Sequence, residues 1–177
     1  MGGLFYKGNR AKMEGLTLFH IGCGGDYHEG FVNIDRSTVS PRGKKVKLDL
    51  IFELGEKWPY NEDNFVDGIV SMHVLQQLSW RDLVTCLREA YRVLKKGGVM
   101  RFGCPMVELY KYDLDYLLGW NNINLFSKDL LENVFERVGF SSFNEDSNRS
   151  VYTPKLPILT TVDNRRDRGT CYFEAIK

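Results

Sequence analysis

No stretch of this 177-residue chain offers the ~18 consecutive apolar residues of a membrane-crossing helix, so no membrane partner is expected. Its first residues, MGGLFYKGNRAKMEG, lack both the apolar core of a secretory leader and the Ser or Thr of a myristoylation signal. A cytoplasmic protein is expected on those grounds. Cysteine is scarce and scattered: Cys23, Cys86, Cys104 and Cys171 include no C-x-x-C pair, which argues against a zinc site and for reduced thiols. No metal is expected. A dominant charge is lacking too. With a formal net charge of +1, no overall field favours nucleic acid or an anionic membrane. The one local basic run, RGKKVK at 42–47, reads as a solvated loop ahead of a strand. Internal repeats and low-complexity segments are absent as well. What is left is an ordinary soluble composition, 43% hydrophobic, at a length that fits one domain over 1–177 with a single core.

The informative stretch is LTLFHIGCGGDYHEGFVNIDRS, from Leu16 to Ser37. An apolar run to Ile21 reads as a strand buried on both faces. The glycines that follow, Gly22, Gly24 and Gly25, allow positive φ and a close approach of backbone to a ligand. Phe31 to Ile34 then forms a second strand ending at Asp35, where a carboxylate is placed to accept from ribose hydroxyls. Only about eight residues join the two strands, below the ~10–12 of a helical crossover, so a loop is expected there.

Further along, Val46-Lys-Leu-Asp-Leu reads as a third strand with Asp49 near its end, and 51–64 as mainly loop around Pro59. FVDGIVS (Phe65–Ser71) is a fourth strand. From Met72 the apolar spacing turns helical, and Ser79 with Asp82 marks an N-cap for a helix from about Trp80. Lys95-Lys96-Gly97-Gly98 is expected to end it. Val99 to Cys104 is the fifth strand, Ser127 caps a helix to Val138, a sixth strand runs from Gly139 to about Asn144, and Thr170 to Ile176 is a closing strand. Met106–Phe126 shows no clear period, and 145–169 reads as a long polar excursion. Strands alternating with helices specify an α/β protein with a doubly wound, mostly parallel sheet.

In such a sheet, ligands gather outside the carboxyl ends of the strands, where Gly22 to Asp26, Asp35, Asp49 and Ser71 to His73 fall. A dinucleotide turn needs G-x-G-x-x-G, but Tyr27 stands at the third glycine. There is no GxxxxGK[ST] phosphate loop either. The site keeps the acids suited to adenosine and lacks a phosphate cradle.

Five motifs in order, FHIGCGG, GFVNIDRS, KLDL, WPYNEDNFVDGIVSMHVLQQL and LREAYRVLKKGGVMRFGCP, carry a resemblance. The chain resembles the class I S-adenosylmethionine-dependent methyltransferases, in particular small members with a GCG turn and HVLEHL- and RVLKPGG-like motifs. The match is close over 16–105 and looser over ENVFERVGFSSF. The resemblance implies a Rossmann-like methyltransferase fold with an antiparallel C-terminal strand. It also implies S-adenosyl-L-methionine as cofactor and a small-molecule acceptor. By position, Gly22 and Gly24, with Cys23, would face the methionine end of the cofactor. Asp35, with Arg36, would hold the ribose, Asp49 and Leu50 would border the adenine, and Ser71, Met72 and His73 would line the floor beneath the sulfonium. Of His73, His28, Asp26 and Tyr27, the groups available as a general base, His73 is the first candidate because it follows the fourth strand at the mouth of the site. Gln76-Gln77 replaces a Glu-His pair of similar proteins, which keeps open an alternative: a catalytically degenerate module that binds without turnover.

Overall fold

Leu18–Ile21 (β1) is buried at every position, as a continuous apolar run in a central strand requires. The computed structural model, which describes residues 15–40, 43–108, 122–146, 156, 159 and 170–177, builds a seven-stranded sheet around it. Val32–Asp35 (β2) lies parallel to β1 on one side and Val66–Met72 (β4) parallel on the other. Leu50–Ile51 (β3) completes that half at the outer edge of β2. Leu94–Pro105 (β5) pairs with β4 in parallel. Thr170–Ile176 (β7) runs antiparallel between β5 and Ser142–Asp146 (β6), giving the order β3-β2-β1-β4-β5-β7-β6. The antiparallel C-terminal strand is where it was expected. The chain reverses its progress across the sheet between β1 and β4, and their carboxyl ends flank the crevice where open α/β sheets bind ligands.

Local signals account for both described helices. Trp80–Val93 (α1) starts at Ser79, whose hydroxyl accepts from the Asp82 N–H at 3.2 Å and donates to its carboxylate at 2.7 Å. Leu83, Cys86, Leu87, Ala90 and Val93 recur at helical spacing and are all buried. Lys128–Val138 (α2) is capped by Ser127 and ends at Gly139 with φ +121°. Both helices feed one apolar cluster with Phe19, Ile21, Ile34, Ile69, Met100, Phe102 and Phe173. Phe102 lies between stacked rings, 4.8 Å from Phe135 and 5.3 Å from Phe173. On the opposite face, Leu18, Phe31, Val70, Met72, Val99 and Tyr172 pack with Leu156 and Leu159, so the connection between β6 and β7 contributes to that face. There Arg101 and Glu174, each at most 3% exposed, form a buried pair at 2.8 Å.

Three expectations are corrected. The third strand is Leu50–Ile51 and not Val46–Leu50, so Asp49 precedes it. Asp49 is held there by its own N–H bonding to the Asn33 carbonyl at 2.9 Å, and Val46 is tied back to Thr38. The glycines at 97–98 do not end α1: Leu94 is already extended (ψ 138°) and pairs with Val66, so the helix passes straight into β5. The helical spacing after Met72 resolves into a 3-10 turn, Leu75–Gln77, ahead of α1. The short connection from β1 to β2 holds no helix, as its length required. Met106–Phe126 and 145–169 fall largely outside the described residues. Among the described residues, no helix is long and apolar enough to cross a membrane.

Candidate functional site

The glycine turn follows β1 directly. Gly22 (φ +65°) and Gly24 (φ +54°) both take the left-handed backbone that glycine permits without cost. Their surroundings differ. A Cβ on Gly22 would strike the Val74 side chain, with Cγ1 at 2.9 Å, whereas a Cβ on Gly24 would meet nothing within 4 Å. Gly22 is thus a packing contact with the segment after β4, and Gly24 faces open space at the crevice. Gly22→Ala should cost about 2 kcal/mol or more in urea denaturation, from left-handed strain plus overpacking. Gly22→Ala with Val74→Ala should recover only the packing share. Equal loss in the single and double variants would refute the contact.

Asp35 ends β2 and turns its carboxylate to the glycine turn. Oδ2 accepts from the Gly24 N–H at 2.7 Å and Oδ1 from the Arg36 N–H at 2.7 Å. The Cys23 N–H, donating to the Ile34 carbonyl at 3.1 Å, ties the two strand ends together. Cys23 is buried; desolvation first, then the Asp35 charge, pushes its thiol up to about 12, so it is neutral and no nucleophile.

Asp49 faces inward along the same edge. Oδ2 accepts from the Asn33 backbone N–H at 2.8 Å and its side-chain amide at 3.0 Å, while the Tyr27 hydroxyl reaches Oδ1 at 3.1 Å. Lys47 Nζ sits 3.8 Å over the Tyr27 ring. Leu50, half-buried, is bonded into β3 opposite Ile34. Asn33 is therefore the hub of this wall, also accepting from the His28 N–H and donating to the His28 and Phe31 carbonyls, each at 2.9 Å. Its sequence signal is a lone amide within an apolar strand. Tyr27, which stands where a dinucleotide turn has its third glycine, belongs to the same wall through its bond to Asp49.

At the end of β4, Ser71 is fully enclosed and Met72 is 6% exposed, while His73, the next residue, is half-buried. Ser71 and Met72 are thus enclosed in the sheet, and His73 is the first residue after them that is partly open to solvent. The His73 N–H donates to the Gly103 carbonyl at 2.8 Å, and its Nε2 lies 3.1 Å from Thr170 Oγ1. Gln76 is buried, its carbonyl accepting from the Ile123 and Asn124 N–H groups, and Gln77 is exposed. The structure gathers the turn, Asp35, Asp49 and the end of β4 around one crevice from four separate stretches of chain. A groove of about 650 Å³ between α2 and the start of β6 lies toward the opposite edge of the sheet. Among the described residues, no cluster of His, Cys, Asp and Glu is arranged to hold a metal ion.

Comparison with known proteins gives this arrangement a context. A family model described as a methyltransferase domain matches residues 11–102, more than half of the chain. A ubiquinone/menaquinone biosynthesis C-methyltransferase of Xylella fastidiosa is 28% identical over 131 residues, covering 68% of this chain and 47% of that protein. The chain thus spans about half the length of that curated relative. An S-adenosylmethionine-dependent methyltransferase of Archaeoglobus fulgidus superimposes with a TM-score of 0.67 at 16% identity, over 92% of this chain and 86% of that one. A Haemonchus contortus phosphoethanolamine N-methyltransferase in complex with S-adenosylmethionine does so with a TM-score of 0.60 at 16% identity, over 92% and 49%. At those identities the two structures speak for a shared fold. The family model carries the rest, and the chain belongs to the class I S-adenosylmethionine-dependent methyltransferases.

Proposed function

We propose that this protein binds S-adenosylmethionine along the edge from Gly22 to Asp35 and transfers its methyl group to a small-molecule acceptor. The observation that carries the reading is the pairing of the Asp35 carboxylate with an open glycine turn at the β1–β4 crevice. The cofactor fits what is present. Gly24 leaves room where a side chain would intrude, and the half-buried Asp35 supplies acceptors for two ribose hydroxyls. Gly22, Cys23 and Gly24 offer backbone to the methionine portion, and Arg36 flanks the ribose. Asp49 and Leu50 border the adenine. Because its carboxylate already serves Asn33 and Tyr27, Asp49 acts by holding that wall in place. Ser71 and Met72 support the floor, and His73 stands at its edge.

Bound there, the cofactor supplies an electrophilic methyl group on a sulfonium. The protein's part is chiefly to hold donor and acceptor in line, since orientation alone supplies much of the rate of a displacement. Where the acceptor must lose a proton, His73 takes it. Isothermal calorimetry with S-adenosylmethionine and S-adenosylhomocysteine tests the reading: micromolar affinity for both is expected, and no heat with either would overturn it. Binding without methyl transfer across a broad acceptor panel would favour the degenerate module that Gln76 and Gln77 suggest.

A further inference from the structure

His73 holds a backbone conformation that its own chemistry does not favour. Its φ is +59°, in the left-handed region where a Cβ costs roughly 1–2 kcal/mol. Such a residue persists only where its surroundings over-determine it. Three anchors do so, from three different elements. From β5, the Gly103 carbonyl accepts the His73 N–H at 2.8 Å. From the 3-10 turn, Gln77 Nε2 donates to the His73 carbonyl at 2.8 Å. From β7, the Thr170 hydroxyl lies 3.1 Å from the ring Nε2. The backbone is fixed on both sides of Cα, and the ring is held at Nε2.

We infer that Thr170 and Gln77 are positioning residues for the His73 imidazole, and this rests on His73 as the proton acceptor of the proposed reaction. A hydroxyl both donates and accepts, so Thr170 holds Nε2 whether or not that nitrogen carries the proton. The bond therefore sets the ring plane in either protonation state of Nε2. Thr170 arrives because β7 pairs with the end of β5, in register opposite Pro105. Gln77 belongs to the Gln76-Gln77 pair that stands where similar proteins have Glu-His. Its amide stands in place of an imidazole and donates to the His73 carbonyl, so in this chain it anchors the backbone of that residue.

The test uses the full chain with 15N-labelled histidine, titrated by NMR without cofactor, with His73→Asn to assign the signals. Asparagine tolerates the left-handed backbone, so that variant is expected to fold. Thr170→Val keeps the branched shape and loses the hydroxyl. It should move the His73 midpoint by about half a unit or more and change the 15N shift of Nε2, which loses its partner. Thr170→Ser should restore the wild-type shifts. Gln77→Ala should speed solvent exchange of the His73 amide by about fivefold, as the anchor beside it is lost. A wild-type His73 titration and wild-type 15N shifts in Thr170→Val would overturn the role of Thr170, as would a serine variant as perturbed as valine. Unchanged amide exchange in Gln77→Ala would overturn that of Gln77. None of these signals requires ligand, so failure of the cofactor reading appears separately, as absent calorimetric heat with the wild-type protein.

Discussion

Asp35→Ala should weaken S-adenosylmethionine binding by about a hundredfold or more in calorimetry. Hydrogen bonds to a charged acceptor contribute about 1.5–3 kcal/mol each, and in the proposed binding mode the variant removes the acceptor for both ribose hydroxyls. The loss has a second source. Asp35 Oδ2 also receives the Gly24 N–H at 2.7 Å, so the alanine variant frees the turn that faces the ligand. Asp35→Asn separates the two effects. Its amide oxygen can still accept from Gly24, while the charge and one acceptor are gone, and an intermediate loss of about tenfold is expected. The thermal midpoint of the unliganded variants supplies the control, since a loosened turn lowers it and a missing ribose contact does not. Wild-type affinity in Asp35→Ala would remove this carboxylate from the site.

The features that sequence discloses here are the local ones. Ser79 with Asp82, and Ser127 ahead of Leu130 and Leu131, are read correctly because a cap and its first turn lie within four residues. The β1–β2 loop was legible from chain length alone. Errors arise where a distant partner decides. Val46 to Leu50 alternates like a strand, yet β3 starts only at Leu50, because pairing with Ile34 and Asp35 selects Leu50 and Ile51. The end of α1 looks glycine-determined, but Leu94 leaves the helix to pair with Val66 from β4. The site divides the same way. Asp35 follows from its place at the end of an apolar strand next to a glycine turn. Thr170 lies 97 residues from His73 and is joined to it only through β5, so no reading of spacing finds it. Gln77 shows the cost of judging a residue by what it replaces. Taken as a lost imidazole it weakens the case for catalysis, whereas its bond to the His73 carbonyl gives it a task.

His20 should make the protein sensitive to mild acid. It lies in β1 at 2% exposure, opposite Asn33 in the neighbouring strand and against the rings of His28 at 5.5 Å and Phe31 at 6.4 Å. Burial first, and then the nearby His28, lowers its pKa to about 4, although Asp26, Asn33 and Asp35 pull the other way. In the unfolded chain the same imidazole titrates near 6.5. The unfolded state therefore binds a proton that the native state refuses throughout that interval. The sign follows: His20 contributes fully above pH 6.5, and its contribution is lost as pH falls toward 4. One proton over that interval amounts to about 3 kcal/mol, a large share of the stability of an ordinary domain. Urea denaturation at a series of pH values should show this slope in the wild type. It should be absent from His20→Phe, where a ring of similar shape packs against Phe31 without titrating. The absolute stability of the variant is immaterial; the comparison is of slopes. Parallel pH profiles for the two proteins would show that His20 takes its proton as readily folded as unfolded.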